Sequence, residues 1–281
     1  MNMRIKFKKI TIIGTGFMGG SLAMAIKKEK ITSSVWGLVR NKLREREVRK
    51  LKIFDKVTSD LTKALEKTDF VILATPISSI IEYIKILSSY IQKNCLVTDI
   101  GSTKEKILRE AKKYLRDNFV GSHPLCGSEK KGAEYSIDSL FKNSLCVLTP
   151  IKKNESFQII KNFWRRLGSH PVVLDEKTHD RIIAYTSGLP HILSFSLSYS
   201  LPYQASKFIG ASFKDMTRIS GSPPRVWTDI FLTNRFTEKS LQDFLKNIDK
   251  LSRLIEKKDK KRLSLLLNKI VQKHKKLIAT Y

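Results

Sequence analysis

The sequence predicts an α/β chain in which an N-terminal doubly wound domain, built on a parallel sheet, is followed by an all-helical domain. Up to about residue 174, short β-branched runs alternate with longer amphipathic runs, which is typical of strand–helix–strand units. From residue 176 onward, apolar residues recur at helical spacing and no stretch alternates as a strand does. We therefore expect a boundary near Leu174, with one domain at 1–174 and another at 175–281.

The strands of the first domain are each apolar along most of their length, as in parallel sheets that are covered on both faces. They are expected at 10–13, 34–39, 70–74, 96–100, 119–122, 145–149 and 172–174. Helices are expected between them, where apolar residues recur at i, i+3 and i+4, at 42–51, 77–90, 104–115 and 156–167. The run Ser102-Thr103-Lys104-Glu105 predicts a capping box at the start of the helix at 104–115.

The second domain is predicted from long amphipathic segments at 178–201, 237–256 and 260–278, with a break at 220–224. Helical domains with such long amphipathic segments often pair with a copy of themselves. We therefore expect a homodimer that forms through this domain.

A glycine-rich turn joins the first strand to a helix at 20–28. The turn reads Gly14-Thr15-Gly16-Phe17-Met18-Gly19, and this context is typical of a Rossmann-like dinucleotide site. Gly14 permits the tight turn, and Gly16 lets the backbone approach a pyrophosphate. Gly19 permits close packing of the helix on the strand. The remaining residues expected at the cofactor are Phe17, Met18, Thr75 and Pro76, because the last two follow another strand end.

The end of the second strand bears on the choice of cofactor. The segment Gly37-Leu38-Val39-Arg40-Asn41 lacks the acid that binds the ribose hydroxyls of NAD. Arg40 stands there instead, and a guanidinium can bind a 2′-phosphate, with Arg44 and Arg46 nearby. The sequence therefore favours NADP, while NAD stays open because some NAD sites lack the acid.

Several polar residues are candidates for chemistry. His123 follows a strand in a Pro- and Gly-containing loop, where it suits general acid–base work near neutral pH. Ser102 either caps a helix or contacts a ligand, and Arg218 either binds a carboxylate or lies on the surface. Asp180 and His191 are about three helical turns apart and are expected to face the same way, with His179 roughly 100° aside. No third ligand stands at metal spacing, so we expect no metal.

Composition restricts the remaining classes of function. Lys plus Arg is 53 against 26 Asp plus Glu, a net charge of +27, yet these residues are scattered and form no aromatic-interleaved basic motif. We therefore expect no specific nucleic-acid partner. Three cysteines without a C-x-x-C pair favour a reducing cytoplasm. Glycines interrupt the early apolar run, and no stretch approaches the roughly 20 residues of a membrane span, so no membrane is expected.

The motifs together resemble the prephenate and arogenate dehydrogenase family of tyrosine biosynthesis over about residues 10–234. They occur in order as the glycine turn, the segment 99–104, His123-Pro124-x-x-Gly127-x-Glu129-Lys130-x-Gly132, His179-Asp180, Leu189-Pro190-His191, the segment 213–218 and Trp227-x-Asp229-Ile230-Phe231. The set as a whole carries the resemblance, since any one of these motifs alone would be weak.

The resemblance implies an oxidative decarboxylation, with hydride transfer from a small substrate to the nicotinamide of NAD or NADP. His123 matches the family's catalytic histidine and would accept the proton of the substrate hydroxyl. Ser102 matches a serine that contacts the same hydroxyl. The residues that the resemblance assigns to substrate binding are His191, Arg218, Glu129 and His179.

The chain also departs from the family pattern. Gly188 replaces a histidine before Leu189-Pro190-His191, and Thr228 replaces a basic residue after the tryptophan. The retained His191 favours prephenate, which has a keto-acid side chain, over arogenate, which has an amino-acid side chain. The alternatives are arogenate itself, a related two-domain dehydrogenase of another acidic substrate, and a basic protein that only senses nucleotide.

Overall fold

The structure, a computed structural model, describes residues 7–127, 130 and 132–279. The chain divides into two compact units, Met1–Arg235 and Phe236–Tyr281. The domain boundary expected near Leu174 stays a prediction. Among the described residues, the first unit holds the whole sheet and ten α-helices, and the second holds two α-helices.

An eight-stranded sheet forms the centre of the first unit, in the order β3-β2-β1-β4-β5-β6-β7-β8. Its strands are β1 Ile10–Ile13, β2 Val35–Leu38, β3 Lys56–Thr58, β4 Phe70–Leu73, β5 Leu96–Asp99, β6 Phe119–Pro124, β7 Leu145–Pro150 and β8 His170–Val173. The described helices of this unit are α1 Phe17–Lys28, α2 Lys42–Lys50, α3 Leu61–Leu65, α4 Ile77–Leu87, α5 Glu105–Tyr114, α6 Glu155–Arg166, α7 Glu176–Ile183, α8 Leu189–Ser200, α9 Ala211–Thr217 and α10 Pro224–Thr233. The predicted fold class is confirmed.

Two features of the sheet differ from the expectation. β7 pairs with β6 in antiparallel fashion, whereas every other neighbouring pair is parallel. No long helix lies between β6 and β7 in the described part of the chain, and an antiparallel pair needs no helical crossover. The sequence reading also missed β3, which has three residues and is too short to show a strand period.

The helix expected at 178–201 is interrupted. α7 ends at Ile183, a π-helical turn covers Ala184–Gly188, and α8 begins at Leu189 with Pro190 in its first turn. Proline has no N–H to give to the preceding turn, so the regular α-helical bonding cannot continue through it. A π-turn adds a residue and rotates the second helix about its axis relative to the first. The shared face expected for Asp180 and His191 was therefore wrong, and these residues contact different partners.

Four loops lie at one edge of the packed sheet, because the strands that precede them run parallel. β1 and β4 are buried along their whole length, and aromatic side chains such as Phe70, Phe163 and Trp164 fill the layer between sheet and helices. β1, β4, β5 and β6 run parallel to one another, so their carboxyl ends point the same way. The segments at these ends carry the glycine turn, Thr75, Ser102 and His123.

The second unit is a pair of helices, α11 Thr237–Glu256 and α12 Lys260–Ile278. Asp259 precedes α12 and accepts a bond from the backbone N–H of Arg262, a capping contact that begins the helix. Across the described part of the chain, no helix combines the length and apolar character that a membrane crossing needs.

Candidate active site

Two glycines of the turn after β1 are sterically required. Gly14 has φ +102°, a conformation that side-chain-bearing residues rarely adopt, and a Cβ there would lie 2.5 Å from the carbonyl oxygen of Ala74. A Cβ at Gly19 would lie 1.9 Å from the carbonyl oxygen of Gly14. The turn therefore packs against the end of β4 in a way that only glycine permits.

The same turn leaves room for a ligand. A Cβ at Gly16 would meet nothing within 4 Å, and no side chain caps the N-terminus of α1, which begins at Phe17. Across the turn, the Thr75 Oγ1 atom is buried and has no partner among the described residues. Helix N-terminal N–H groups beside an open cradle suit a pyrophosphate. These residues, with Met18 and Pro76 beside them, fit a dinucleotide.

Arg40 follows β2 and is exposed. The next residue, Asn41, caps α2 by accepting a bond from the backbone N–H of Arg44 at 3.0 Å. The Arg44 side chain is paired with Glu47 at 2.6 Å. Arg40 therefore faces solvent at the position where the ribose-binding acid of an NAD site would stand.

His123 lies near the end of β6 and belongs to a hydrogen-bonded chain of three side chains. Its Nδ1 atom is 2.9 Å from Nε2 of His179, and Nδ1 of His179 is 2.8 Å from Oδ1 of Asp180. His179 and Asp180, both on α7, are completely buried, whereas His123 is partly exposed. The hydrogen bonds thus connect a half-buried histidine to a carboxylate in the interior.

Asp180 also caps α5. Its Oδ1 accepts the backbone N–H of Lys104 at 2.7 Å, and its Oδ2 accepts that of Glu105 at 3.0 Å. No side chain at the beginning of α5 provides a cap, so the predicted capping box at 102–105 was wrong. The Asp180 carboxylate on α7 takes the place of the capping box, since it accepts hydrogen bonds from two backbone N–H groups at the start of α5. Ser102 is half-buried, and among the described residues its side chain forms no hydrogen bond with His123.

A buried ion pair lies beside this chain. Nζ of Lys104 bonds to Oδ2 of Asp99, and both side chains are completely buried. Oδ2 of Asp99 also accepts the backbone N–H of Gly101 at 2.7 Å, and its Oδ1 accepts that of Ser122 at 3.3 Å. Burial raises the pKa of the Asp99 carboxyl, and the bond to Lys104 opposes that rise. Such a pair costs desolvation energy and is tolerated where it is fully hydrogen-bonded.

The surroundings of His123 and His179 keep both imidazoles neutral. Burial, then His179 and then Lys104 hold the pKa of His123 well below its usual value of 6.5. Burial also lowers the pKa of His179, although its hydrogen bond to the Asp180 carboxylate opposes that effect. A neutral imidazole can accept a proton, so His123 is suited to act as a base near neutral pH.

A second histidine lies in different surroundings. His191, on α8, stacks on Trp227 of α10, with ring centroids 3.4 Å apart and planes 22° apart. Its Nδ1 is 2.9 Å from the carbonyl oxygen of Ser187, and it is half-buried. Burial lowers its pKa, and the positive charge of the exposed Arg218 lowers it further. The structure thus brings His191 and Arg218, both expected to bind substrate, into one region.

Other expectations have plain outcomes. Both ring nitrogens of His179 are engaged within the protein, which leaves neither for a substrate. Glu129 lies outside the described residues. Sequence reasoning gave no role to Lys104 or to Trp227, although both stand in motifs that it quoted. From sequence alone, a lysine is expected to be a surface charge and a tryptophan to be a core residue. Their roles become visible only when the structure shows which groups they contact.

Comparisons with known proteins agree with this arrangement. A family model described as prephenate dehydrogenase, nucleotide-binding domain, matches residues 22–173. A second model, described as prephenate dehydrogenase, dimerization domain, matches residues 175–269. A prephenate dehydrogenase of Bacillus subtilis is 31% identical over 268 residues, which cover 90% of this chain and 72% of that protein.

Solved structures are similar over nearly the whole chain. The prephenate dehydrogenase of Aquifex aeolicus, in complex with hydroxyphenyl propionate and NAD+, matches with a TM-score of 0.89 at 31% identity, covering 99% of each chain. A Synechocystis arogenate dehydrogenase matches with a TM-score of 0.79 at 26% identity, covering 96% of this chain and 99% of that one.

Proposed function

Because the chain belongs to the prephenate dehydrogenase family, and a candidate base lies at the same edge of its sheet as a dinucleotide cradle, we propose that it oxidatively decarboxylates prephenate to 4-hydroxyphenylpyruvate. The family resemblance expected from the ordered motifs is confirmed. The chain is accordingly a nicotinamide-dependent dehydrogenase. The observation that carries the proposed chemistry is His123, a neutral imidazole tied at one nitrogen to His179, with its other nitrogen lacking a partner among the described residues.

In the proposed reaction, hydride leaves the ring carbon that bears the hydroxyl. The hydroxyl proton passes to His123, and the ring carboxylate departs as carbon dioxide while the ring becomes aromatic. Ser102, at the end of the neighbouring strand, holds the hydroxyl in line. His191 and Arg218 bind the carboxylate of the side chain. The bound cofactor supplies the hydride acceptor.

Within the cofactor site, the turn at 14–19 binds the pyrophosphate through backbone N–H groups at the start of α1. The buried Oγ1 of Thr75 and the ring of Pro76 border the same cradle from the end of β4. The uncapped helix N-terminus supports this assignment because it carries unpaired donors and partial positive charge.

We infer that NADP is the preferred cofactor, supported by the exposed Arg40 and the absence of an acid at 37–41. The variant Arg40→Ala should lower kcat/KM for NADP by about tenfold, the worth of one charge-assisted pair, and leave that for NAD unchanged. Lys50→Ala, at the far end of α2, is the matched control for a lost charge. An unchanged ratio of NADP to NAD efficiency in Arg40→Ala would contradict the preference.

We also propose a homodimer that forms through the region matched by the dimerization model. Large apolar side chains in this region lie open to solvent, with Tyr199 94% exposed, Tyr203 89% and Phe208 79%. Exposed apolar groups of this size mark interaction surfaces. Light scattering should report a dimer, and Tyr199→Asp with Phe208→Asp should yield a monomer.

The cytoplasmic location remains our proposal, and the three free thiols are consistent with it.

The test of the function is an initial-rate assay of the purified protein on prephenate and on arogenate, each with NAD and with NADP. We expect the highest turnover on prephenate with NADP. The likeness to an arogenate dehydrogenase structure supports arogenate as the second candidate, and turnover on arogenate alone would establish it instead. No turnover in all four assays, from protein shown to bind nucleotide, would overturn the reaction and leave another acidic substrate.

A further inference from the structure

We propose that Asp180 acts through His179 to fix the proton of His123 on Nδ1, so that His123 accepts the substrate proton at Nε2. His179 is then a positioning residue and not a substrate ligand. The kinetic consequence rests on the proposed function. The tautomer of His123 does not rest on the proposed function, because it depends on hydrogen bonds between side chains of this protein.

The argument begins at Asp180, whose carboxylate only accepts hydrogen bonds. It receives the backbone N–H groups of Lys104 and Glu105 and lies 2.8 Å from Nδ1 of His179. That nitrogen must therefore carry hydrogen. Asn234 donates to the backbone carbonyl of Asp180 at 2.7 Å and helps to hold this end of the chain in place.

The next link is His179, which is completely buried. Burial lowers its pKa, so it is neutral near pH 7 and carries a single ring proton. That proton is on Nδ1, which leaves Nε2 as an acceptor. Nε2 lies 2.9 Å from Nδ1 of His123, a distance that requires one hydrogen between the two atoms. The hydrogen therefore belongs to His123.

His123 is the last member of the hydrogen-bonded series that begins at Asp180. Its own pKa is lowered, so the neutral ring with hydrogen on Nδ1 has a bare lone pair on Nε2. No described residue forms a hydrogen bond with that atom. The alternative tautomer would place two lone pairs against each other at 2.9 Å, between Nδ1 of His123 and Nε2 of His179. The hydrogen-bonded chain thus selects which nitrogen can react.

The charged and titratable groups around His123 are consistent with this role. Lys104 disfavours protonation of both imidazoles, and Asp99 balances the lysine within its own buried pair. Cys146, on the neighbouring strand β7, is a neutral thiol because burial raises its pKa well above the usual value. Once His123 has accepted a proton, the Asp180 carboxylate at the far end of the chain stabilises the imidazolium.

The direct test is nitrogen NMR of the protein with labelled histidine. The spectra distinguish hydrogen on Nδ1 from hydrogen on Nε2, and His123→Asn identifies the signal among the five histidines. Between about pH 7 and 8 we expect both His123 and His179 to carry hydrogen on Nδ1. Hydrogen on Nε2 of His123, or a charged ring at this pH, would overturn the proposal even if the enzyme is active.

A pair of variants tests the kinetic consequence. His179→Gln keeps an acceptor oxygen near the position of Nε2, whereas His179→Leu keeps the volume and removes the acceptor. We expect kcat to fall less than about tenfold in the glutamine variant and about a hundredfold in the leucine variant, with nucleotide affinity unchanged in both. The acid limb of the pH profile should move in the leucine variant only. Equal losses in two folded variants would contradict the proposal.

The outcomes separate the two proposals. If the expected tautomers are observed but no substrate is turned over, the positioning chain stands and the proposed function fails. If prephenate is oxidised while His123 carries hydrogen on Nε2, the function stands and the positioning chain fails. Should neither variant fold, the NMR measurement on the unaltered protein still decides the tautomer.

Discussion

His123 and His191 have different neighbours, although burial lowers the pKa of both. His123 is joined to buried polar groups, with His179 and Asp180 behind it and the Lys104–Asp99 pair beside them. His191 rests on the face of Trp227 and bonds to a backbone carbonyl, half-open to solvent. One histidine is fixed by charges in the interior, and the other by an aromatic surface.

This difference teaches how one chain can give two histidines different tasks. A proton acceptor must be neutral before the reaction and must present a particular nitrogen, which a buried hydrogen-bonded chain ensures. A ring that binds an anion needs space in front of it and a neighbouring cation, as His191 has in Arg218. Variants of the two regions should therefore separate turnover from binding.

The largest effect should come from His123→Asn. We expect kcat to fall by about 10²- to 10⁴-fold, the usual contribution of a general base, with little change in nucleotide affinity. Initial rates and nucleotide titration measure the two quantities. His170→Asn, at an exposed histidine of β8, is the control. A kcat within about tenfold of the unaltered enzyme would remove His123 from the catalytic role.

Next in size is the effect of Lys104→Met, which leaves Asp99 buried without its partner. The free energy of unfolding should fall by about 3–5 kcal/mol, the cost of breaking a buried pair. Because Lys104 lowers the pKa of His123, its loss raises that pKa, and the acid limb of kcat/KM should move to higher pH. Denaturant unfolding and a pH profile test both statements.

Lys112→Met is the matched control, because it breaks the exposed pair with Glu176. Such pairs contribute about 0–1 kcal/mol, so little should change. Equal losses of stability in the two lysine variants would show that the interior pair has no special importance for the region around His123.

The opposite region should respond in binding. We expect His191→Asn to raise KM for prephenate about tenfold and to leave kcat within about twofold, since it removes an interaction made equally before and during the reaction. Trp227→Phe, which keeps an aromatic face, should have a smaller effect. A large fall in kcat with KM unchanged would mean that the two regions are not divided as proposed.

The two regions should also appear together in the pH dependence of stability. The pKa values of His123, His179 and His191 are lowered by folding, so the unfolded chain binds more protons below about pH 6.5. The contribution of these histidines to the free energy of unfolding is then fully present above that pH, and it is lost as the pH falls. Unfolding curves between about pH 7 and 5 should show this decline, with a shallower slope in His123→Asn than in His170→Asn.

The smallest effect concerns a contact between α10, which carries Trp227, and α4. Asp229 of α10 accepts bonds from the backbone N–H and the hydroxyl of Ser78, at 3.0 and 2.7 Å, at the start of α4. Asp229→Asn should cost about 1 kcal/mol of stability, as for a lost helix cap, with turnover nearly unchanged. A loss of catalysis that exceeds the loss of stability would show that this contact couples the two regions.

Local patterns in the sequence determined most of the elements. Continuous apolar runs predicted the strands β1, β4 and β5 nearly residue by residue, because these strands are buried on both faces. Apolar residues at helical spacing predicted both helices of the second unit. The glycine turn was equally visible, since a positive φ at Gly14 and the absence of space at Gly19 admit no other residue.

Tertiary structure alone decided which groups surround His123. Asp180 lies 76 positions from Lys104 in sequence, yet it replaces the capping box that the local pattern predicted at Ser102. The same carboxylate bonds to His179, and so joins His123 to the interior. A local sequence pattern records what each residue prefers, whereas a hydrogen bond between distant segments depends on where the packed sheet places them.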